Sequence, residues 1–212
     1  MKTHRQFPVL LAFVLGAFAV LPRVVAQGYS VNIGDILIAN YNGGSVVKID
    51  AVTGAQQQLG GAFSVPTDLV MDASGKLYIT EWTGTIKQLD LTSGTVTTLM
   101  SSGSGPSQVW GITQGPSGDL FVTSRGNQAV YRVNPTTGVP TLLTQGNLIT
   151  TPVGIEMLDA NHLVVACLLA NRLVSVSLAD NSQSVISEGG ALDQPWGVAV
   201  SGTDIYSSSR SS

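Results

Sequence analysis

The sequence predicts an all-β fold, a β-propeller of four-stranded antiparallel blades. Three observations carry this prediction: a constant repeat, several short apolar runs within each repeat, and no helical period between them. Asp68, Gly111, Gly154 and Gly197 follow one another at intervals of 43 residues, and each precedes a branched aliphatic residue. A repeat of about 40 to 45 residues with four strands is typical of one propeller blade. About four and a half such repeats are present.

The second repeat shows the pattern most clearly. Residues 69–71 are interpreted as the innermost strand and 77–80 as the second strand, with an Asp-Ala-Ser-Gly turn between them. The third and fourth strands are predicted at 85–89 and 95–99. β-branched and aromatic residues favour strands, whereas Asp, Ser and Gly favour turns. The apolar runs are nearly continuous, which indicates that neighbouring blades cover both faces of each sheet.

The propeller domain is predicted to span residues 27–212. Five blades are predicted within it, at 27–60, 65–100, 107–144, 151–187 and 194–212, and the last of them is incomplete. In the first blade, residues 29–33 are predicted to form a degenerate first strand. A ring needs a whole number of blades. The partial first and last repeats therefore favour a piece of a larger propeller over a small closed ring.

The amino-terminal segment has the pattern of a secretory signal peptide. Lys2 and Arg5 precede an uncharged apolar run at 7–21, and Val24 and Ala26 occupy the small-residue cleavage positions. The apolar run is shorter than the roughly 20 residues that a spanning helix needs. We therefore expect residues 1–26 to be removed, no stable membrane span, and a secreted protein in an extracellular or periplasmic compartment.

The charge of the mature chain excludes one class of partner. After residue 26 the chain carries 13 acidic residues against 7 lysines and arginines, a net charge of −6, and it has no basic cluster. We therefore do not expect the protein to bind nucleic acid. The single cysteine, Cys167, lies in an apolar run and is predicted to be a buried structural thiol.

Several motifs resemble those of a known superfamily. The runs Gly-Lys-Leu-Tyr-Ile-Thr-Glu at 75–81 and Gly-Asp-Leu-Phe-Val-Thr at 118–123 are each preceded by an inner-strand motif. The first is followed by Ile-Lys-Gln-Leu-Asp at 86–90 and a Ser-Gly turn. In this order they resemble NHL-repeat propellers, and most closely the streptogramin-lyase and gluconolactonase-like groups. The resemblance covers nearly all of the mature chain and is specific for fold rather than for activity.

The two groups imply different chemistry. Streptogramin lyases use a metal site with paired catalytic histidines, whereas the mature chain here has only His162, in a predicted turn. The resemblance therefore does not transfer that lyase chemistry. Gluconolactonase-like enzymes hold calcium with carboxylates and an asparagine around the central channel, and the isolated residues available here are Asp68, Glu156 and Asn40.

Two carboxylates are candidates for a catalytic or metal-binding role. Asp68 stands where the three sister repeats have glycine, and Glu156 lies on an innermost strand where other repeats have Val70, Thr113 and Ala199. Hard cations such as calcium take oxygen ligands. The alternative for Asp68 is a residue that accepts hydrogen bonds from local backbone amides. Glu156 is expected to be either solvated in the channel or buried with a raised pKa.

Aromatic residues form the most coherent candidate site. The loops before the first strand and between the second and third strands open on one face of a propeller. On that face the sequence places six candidate ligand-binding residues: Tyr41, Trp82, Trp110, Arg125, Asn127 and Trp196. Flat aromatic surface with a few polar groups suits a sugar, a peptide or a small amphipathic molecule. The alternative is that Trp110 and Trp196 pack as wedges between blades.

Two functions follow as hypotheses. The first is a secreted, non-catalytic propeller that binds a small molecule, carbohydrate or peptide through this loop face. The second is a calcium-dependent hydrolase or lactonase that uses Asp68 and Glu156. The sequence has no nucleophile elbow and no phosphate-binding glycine loop, and this favours the first.

Overall fold

The computed structural model describes residues 28–209, which form 17 strands in five antiparallel sheets. The predicted signal peptide at 1–26 lies outside these residues. Within them the only helical element is a 3₁₀ turn at Leu168–Ala170. The prediction of an all-β fold of four-stranded antiparallel sheets is confirmed.

The first two sheets contain seven strands. The first sheet consists of β1 (Ile36–Asn40), β2 (Ser45–Ile49) and β3 (Gln56–Leu59). The second consists of β4 (Pro66–Met71), β5 (Lys76–Glu81), β6 (Ile86–Asp90) and β7 (Val96–Met100). In each sheet consecutive strands pair, as a meander requires.

The remaining sheets repeat the same order. The third consists of β8 (Val109–Gln114), β9 (Leu120–Ser124), β10 (Ala129–Val133) and β11 (Pro140–Gln145). The fourth consists of β12 (Pro152–Met157), β13 (His162–Cys167), β14 (Arg172–Ser177) and β15 (Gln183–Glu188). The fifth has β16 (Pro195–Ser201) and β17 (Asp204–Ser209).

The sheets are arranged around a common axis. Their innermost strands β4, β8, β12 and β16 contact one another in succession, and β1 contacts β4. This is the blade arrangement of a propeller, and the five sheets do not close into a ring.

The segment at 29–33 is not a strand, so the prediction of a degenerate first strand there was wrong. The Tyr29 backbone N–H donates to the Leu91 carbonyl at 2.6 Å. The Tyr29 hydroxyl accepts a hydrogen bond from the Gly60 N–H at 2.9 Å. These contacts bind the segment to the residues that follow β3 and β6, and it does not pair with β1 as a strand.

The core is divided among the junctions between sheets. Val46 and Leu59 of the first sheet pack against Leu77 and Ile79 of the second, and three further apolar clusters occupy the next three junctions. Both faces of the central sheets are therefore buried, which explains their continuous apolar runs. Cys167 is fully buried in one of these clusters, as predicted, and burial raises the pKa of its thiol to about 11.

Each inner strand begins with the same backbone irregularity. Val65, Gln108, Thr151 and Gln194 precede β4, β8, β12 and β16 and have φ between 45° and 53°. The strand pairing then shifts register within the next few residues, for example between Pro66 and Asp68. Such a bulge bends a strand. The repeat spacing of 43 residues therefore marks a repeated bend at the start of each inner strand.

Candidate functional site

The four bent strand starts surround one cavity of about 130 Å³. The second and third residues of each inner strand line it: Thr67 and Asp68, Trp110 and Gly111, Val153 and Gly154, Trp196 and Gly197. They are two consecutive positions of the 43-residue repeat, each present four times. The cavity lies on the face that also carries the loop between the second and third strands of each blade.

The repeat glycines bring neighbouring inner strands into backbone contact. A Cβ atom on Gly154 would lie 2.5 Å from the Trp196 carbonyl oxygen and 3.1 Å from the Val198 nitrogen. A Cβ atom on Gly111 would overlap the Val153 carbonyl oxygen in the same way. Glycine is required at these positions because another main chain occupies the space of a side chain.

Asp68 replaces this glycine and connects two strands through its carboxylate. Its Oδ2 atom accepts a hydrogen bond from the Ile112 N–H on β8 at 3.0 Å, and Oδ1 accepts from the Leu69 N–H at 2.8 Å. Desolvation by burial raises the pKa of Asp68 to about 6. The two N–H donors oppose this shift, and the charge of Glu156 adds to it.

Glu156 reaches the same strand from the other side. Its Oε1 atom accepts hydrogen bonds from the Thr113 hydroxyl and from the Met157 N–H, both at 2.8 Å. The two carboxylates that the sequence singled out thus bind consecutive residues of β8, Ile112 and Thr113. Neither forms a salt bridge within residues 28–209. Over the same range, no group of three or more acidic, histidine or cysteine residues has the geometry of a metal site.

Four of the six predicted ligand-binding residues form one aromatic cluster, consisting of Tyr41, Trp82, Trp110 and Trp196. Trp110 lies at its centre. Its ring stacks on Tyr41 at 5.8 Å between centroids and 5° between planes. Trp82 and Trp196 contact it edge to face at 5.2 and 4.8 Å. The cluster thus joins side chains from the first, second, third and fifth sheets.

The aromatic cluster lies between the interior and the surface. Tyr41, in the loop between β1 and β2, is 41% exposed, and the three tryptophans are half-buried. The indole N–H of Trp110 is buried and has no acceptor in the described part of the chain. A buried donor without a partner is costly.

The other two predicted residues occupy the loop between β9 and β10. The Asn127 Oδ1 atom accepts three hydrogen bonds, from the Ser107 N–H at 2.9 Å, its hydroxyl at 2.7 Å and the Ser124 hydroxyl at 2.7 Å. The Arg125 N–H donates to the Gln108 carbonyl at 3.0 Å. This loop is therefore braced against the segment that leads into β8.

His162 is the first residue of β13, at the end of its turn. Its Nδ1 atom lies 2.9 Å from a carboxylate oxygen of Asp159. The Asn161 N–H and His162 hold the pKa of Asp159 below its usual range. This exposed pair stabilises the turn between β12 and β13, and neither residue lines the cavity.

Two buried threonines of the site were not singled out from the sequence. The Thr80 hydroxyl donates to the Trp110 carbonyl at 3.1 Å, and the Thr123 hydroxyl donates to the Val153 carbonyl at 2.6 Å. Each fixes a cavity-lining residue of the next sheet. Their 43-residue separation was a signal that could have identified them.

Similar proteins were found by structure and not by sequence. No family model matches the chain, and no curated protein matches it in sequence. A streptogramin B lyase structure matches with a TM-score of 0.67 and 20% identity, over 84% of this chain and 59% of that chain. Virginiamycin B lyase from Staphylococcus aureus matches with a TM-score of 0.66 and 20% identity, over 88% of this chain and 64% of that one. The chain thus spans about three fifths of the length of these lyases.

A third similar structure comes from a protein complex. One chain of a nidogen/laminin complex matches with a TM-score of 0.65 and 14% identity, over 82% of this chain and 85% of that chain. The chain is a β-propeller. The predicted resemblance of this propeller to streptogramin lyases is confirmed at the level of the fold. Within residues 28–209 the propeller has no helix with the length and hydrophobicity to cross a membrane.

The raised pKa of Asp68 predicts a pH dependence of stability. The folded chain holds this proton up to about pH 6, whereas an unfolded aspartate releases it near pH 3.9. Between these values the folded state binds more protons, so the contribution of Asp68 to the free energy of unfolding falls as pH rises. Urea unfolding of the wild type and of Asp68→Asn at pH 4 to 8 measures this contribution as a difference.

Asp180→Asn is the control for that measurement. Asp180 is exposed, and hydrogen bonds from Ser177 and Ser182 lower its pKa to about 2. This variant should retain the wild-type change between pH 4 and 6. If Asp68→Asn also retains it, Asp68 does not titrate in that range.

Proposed function

We propose that this propeller is a secreted, non-catalytic protein that binds a small molecule, carbohydrate or peptide at the aromatic cluster and the adjoining cavity. The observation that carries the proposal is the convergence of aromatic side chains from four sheets beside a cavity. Secretion is part of the proposal because of the leader pattern at 1–26.

The chemistry of the cluster supports a binding role. Tryptophan and tyrosine offer a large apolar surface at a small cost in conformational entropy. The adjoining cavity adds a polar lining residue, Asp68. Ligand sites typically combine apolar walls with a few polar groups of this kind.

The similar structures are compatible with two kinds of ligand. A catalytically inactive virginiamycin B lyase has been solved with quinupristin, and a similar chain comes from a nidogen/laminin complex. Propellers of this fold therefore bind both small molecules and proteins. For the present chain, the aromatic cluster supports either a small ligand or an exposed peptide of a protein partner.

Trp82→Ala tests the proposal. Trp82 lies in the loop between β5 and β6, and its ring contacts the Trp110 ring edge to face. We expect binding to weaken at least tenfold, as for an aromatic hot spot, with a change in the free energy of unfolding of about 1 kcal/mol or less. Thermal-shift and NMR titrations with a panel of saccharides and short peptides provide the measurement.

Tyr206→Ala is the matched control. Tyr206 is 59% exposed on β17 and lies outside the aromatic cluster. Its loss should leave both binding and melting temperature unchanged. Equal effects of the two variants on binding, or no effect of Trp82→Ala on any ligand that binds, would contradict the proposed site.

A calcium-dependent hydrolase or lactonase is a second candidate function. The observation that favours it is the approach of Asp68 and Glu156 to consecutive residues of β8. Carboxylate oxygens are suitable calcium ligands. Turnover of a lactone that is abolished by a chelator and by Glu156→Gln would favour this candidate over the binding protein.

A further inference from the structure

We propose that the cavity beneath the aromatic cluster selects an organic cation of the quaternary ammonium class. In this arrangement the Asp68 carboxylate supplies the counter-charge, and Trp110 and Trp196 supply two aromatic walls. The inference rests on the proposed function, since it assumes that the cavity is a ligand site. It adds the charge and the chemical class of the ligand.

The first argument is the charge of the cavity. Its lining contains one carboxylate, that of Asp68, and no basic side chain. Glu156 on β12 adds a second carboxylate, which accepts a hydrogen bond from Thr113, the residue after Ile112 on β8. Neither carboxylate has a salt-bridge partner within residues 28–209. Two uncompensated negative charges in a half-buried site attract a cation more strongly than the same charges in water.

The second argument is the hydrogen bonding of Asp68. Each of its carboxylate oxygens accepts one backbone N–H, from Leu69 or from Ile112. Because a carboxylate oxygen has two acceptor positions, each oxygen retains one. The backbone bonds fix the carboxylate at the cavity wall, where an arriving cation does not have to break them.

The third argument is the pair of tryptophans. Trp110 and Trp196 both line the cavity, and their rings stand nearly perpendicular, at 82°, with centroids 4.8 Å apart. They therefore form two walls of a corner. Tryptophan is the aromatic residue that attracts cations most strongly, and quaternary ammonium groups are typically bound between several such rings.

The size and polarity of the cavity favour a quaternary ammonium over other cations. A volume of about 130 Å³ corresponds to roughly four water molecules, enough for a trimethylammonium group. The remaining lining residues are Thr67, Val153 and three glycines. A primary ammonium needs three acceptors and calcium needs six to eight oxygen ligands, whereas a quaternary ammonium needs none.

The test compares choline with 3,3-dimethylbutan-1-ol, which has the same shape and no charge. Isothermal titration of the folded chain should show that choline binds at least tenfold more tightly. Asp68→Asn should reduce choline binding to the level of the alcohol. Asp204→Asn, at an exposed position on β17, is the matched control and should bind choline as the wild type does.

A second variant covers the case in which Asp68→Asn does not fold. Glu156→Gln removes a charge without changing the lining of the cavity, so it should weaken choline binding about threefold and leave the alcohol unaffected. Equal affinity for the two compounds would overturn the inference. Asp68-dependent binding of calcium chloride without binding of choline would also overturn it.

The outcomes also separate this inference from the proposed function. If choline does not bind but a saccharide or peptide binds in a Trp82-dependent manner, the cation inference fails and the proposed function stands. If choline and every compound of the panel fail to bind, both fail.

Discussion

Replacing Gly111 by alanine should destabilise the propeller by about 3 kcal/mol, the upper range for forcing atoms into a packed core. The new methyl group would overlap the Val153 carbonyl oxygen and lie 3.1 Å from the Ile155 nitrogen. Both atoms belong to the backbone of β12, which cannot rotate away as a side chain can. Urea unfolding followed by circular dichroism measures the change.

Gly197→Ala is the control, because Gly197 occupies the position of the repeat that is equivalent to Gly111. Its methyl group would meet only the Ser208 Oγ atom, at 3.0 Å. Because this atom terminates a small side chain that can change rotamer, we expect a change within about 1 kcal/mol. Similar destabilisation by the two variants would show that the strand contact at Gly111 is not what requires glycine.

Trp110→Ala should have the second large effect. Removal of a packed tryptophan side chain costs about 3 to 5 kcal/mol. Here it also removes three ring contacts, each worth about 0.5 to 1.5 kcal/mol beyond burial. The free energy of unfolding, measured by chemical denaturation, should therefore fall by several times the change produced by Trp82→Ala.

Trp110→Phe is the conservative comparison. A phenyl ring keeps part of the packing with Tyr41 and Trp196, so this variant should recover part of the lost stability. If Trp82→Ala unfolds the protein and Trp110→Ala does not, the roles assigned to these two residues are reversed.

The sequence predicted those features that repeat at fixed spacing. The 43-residue interval singled out Gly111 and Gly154, which lie within the inner strands β8 and β12, and glycine there is required by the contact of adjacent strands. It also placed Trp82, Trp110 and Trp196 on one face, because equivalent loops of all blades open on the same side. Because they lie on one face, Trp82 and Trp196 can both contact the Trp110 ring.

The repeat spacing does not predict contacts between non-equivalent positions. The hydrogen bond from Ile112 to Asp68 connects residues 44 positions apart in a junction where the repeat glycine is missing. Tyr29 binds Leu91, 62 residues away. A local apolar pattern at 29–33 favours a strand, but it does not indicate that a distant carbonyl competes for the backbone donor.

The bends at the starts of the inner strands also could not be predicted from the sequence. Positive φ usually signals glycine or asparagine, yet Val65, Gln108 and Thr151 adopt it here. Their carbonyl oxygens accept hydrogen bonds from the N–H groups of Trp82, Arg125 and Leu168, respectively. These tertiary bonds hold the bend, so the identity of the bent residue carries no signal.

The convergence of the tryptophans has an optical consequence. The chain contains three tryptophans, and all of them belong to the aromatic cluster. Nearly all of the intrinsic fluorescence excited at the red edge of the absorption band therefore originates at a single place in the molecule. A change in its emission wavelength or quenching reports on the aromatic cluster and the adjoining cavity, and the rest of the propeller contributes almost no background.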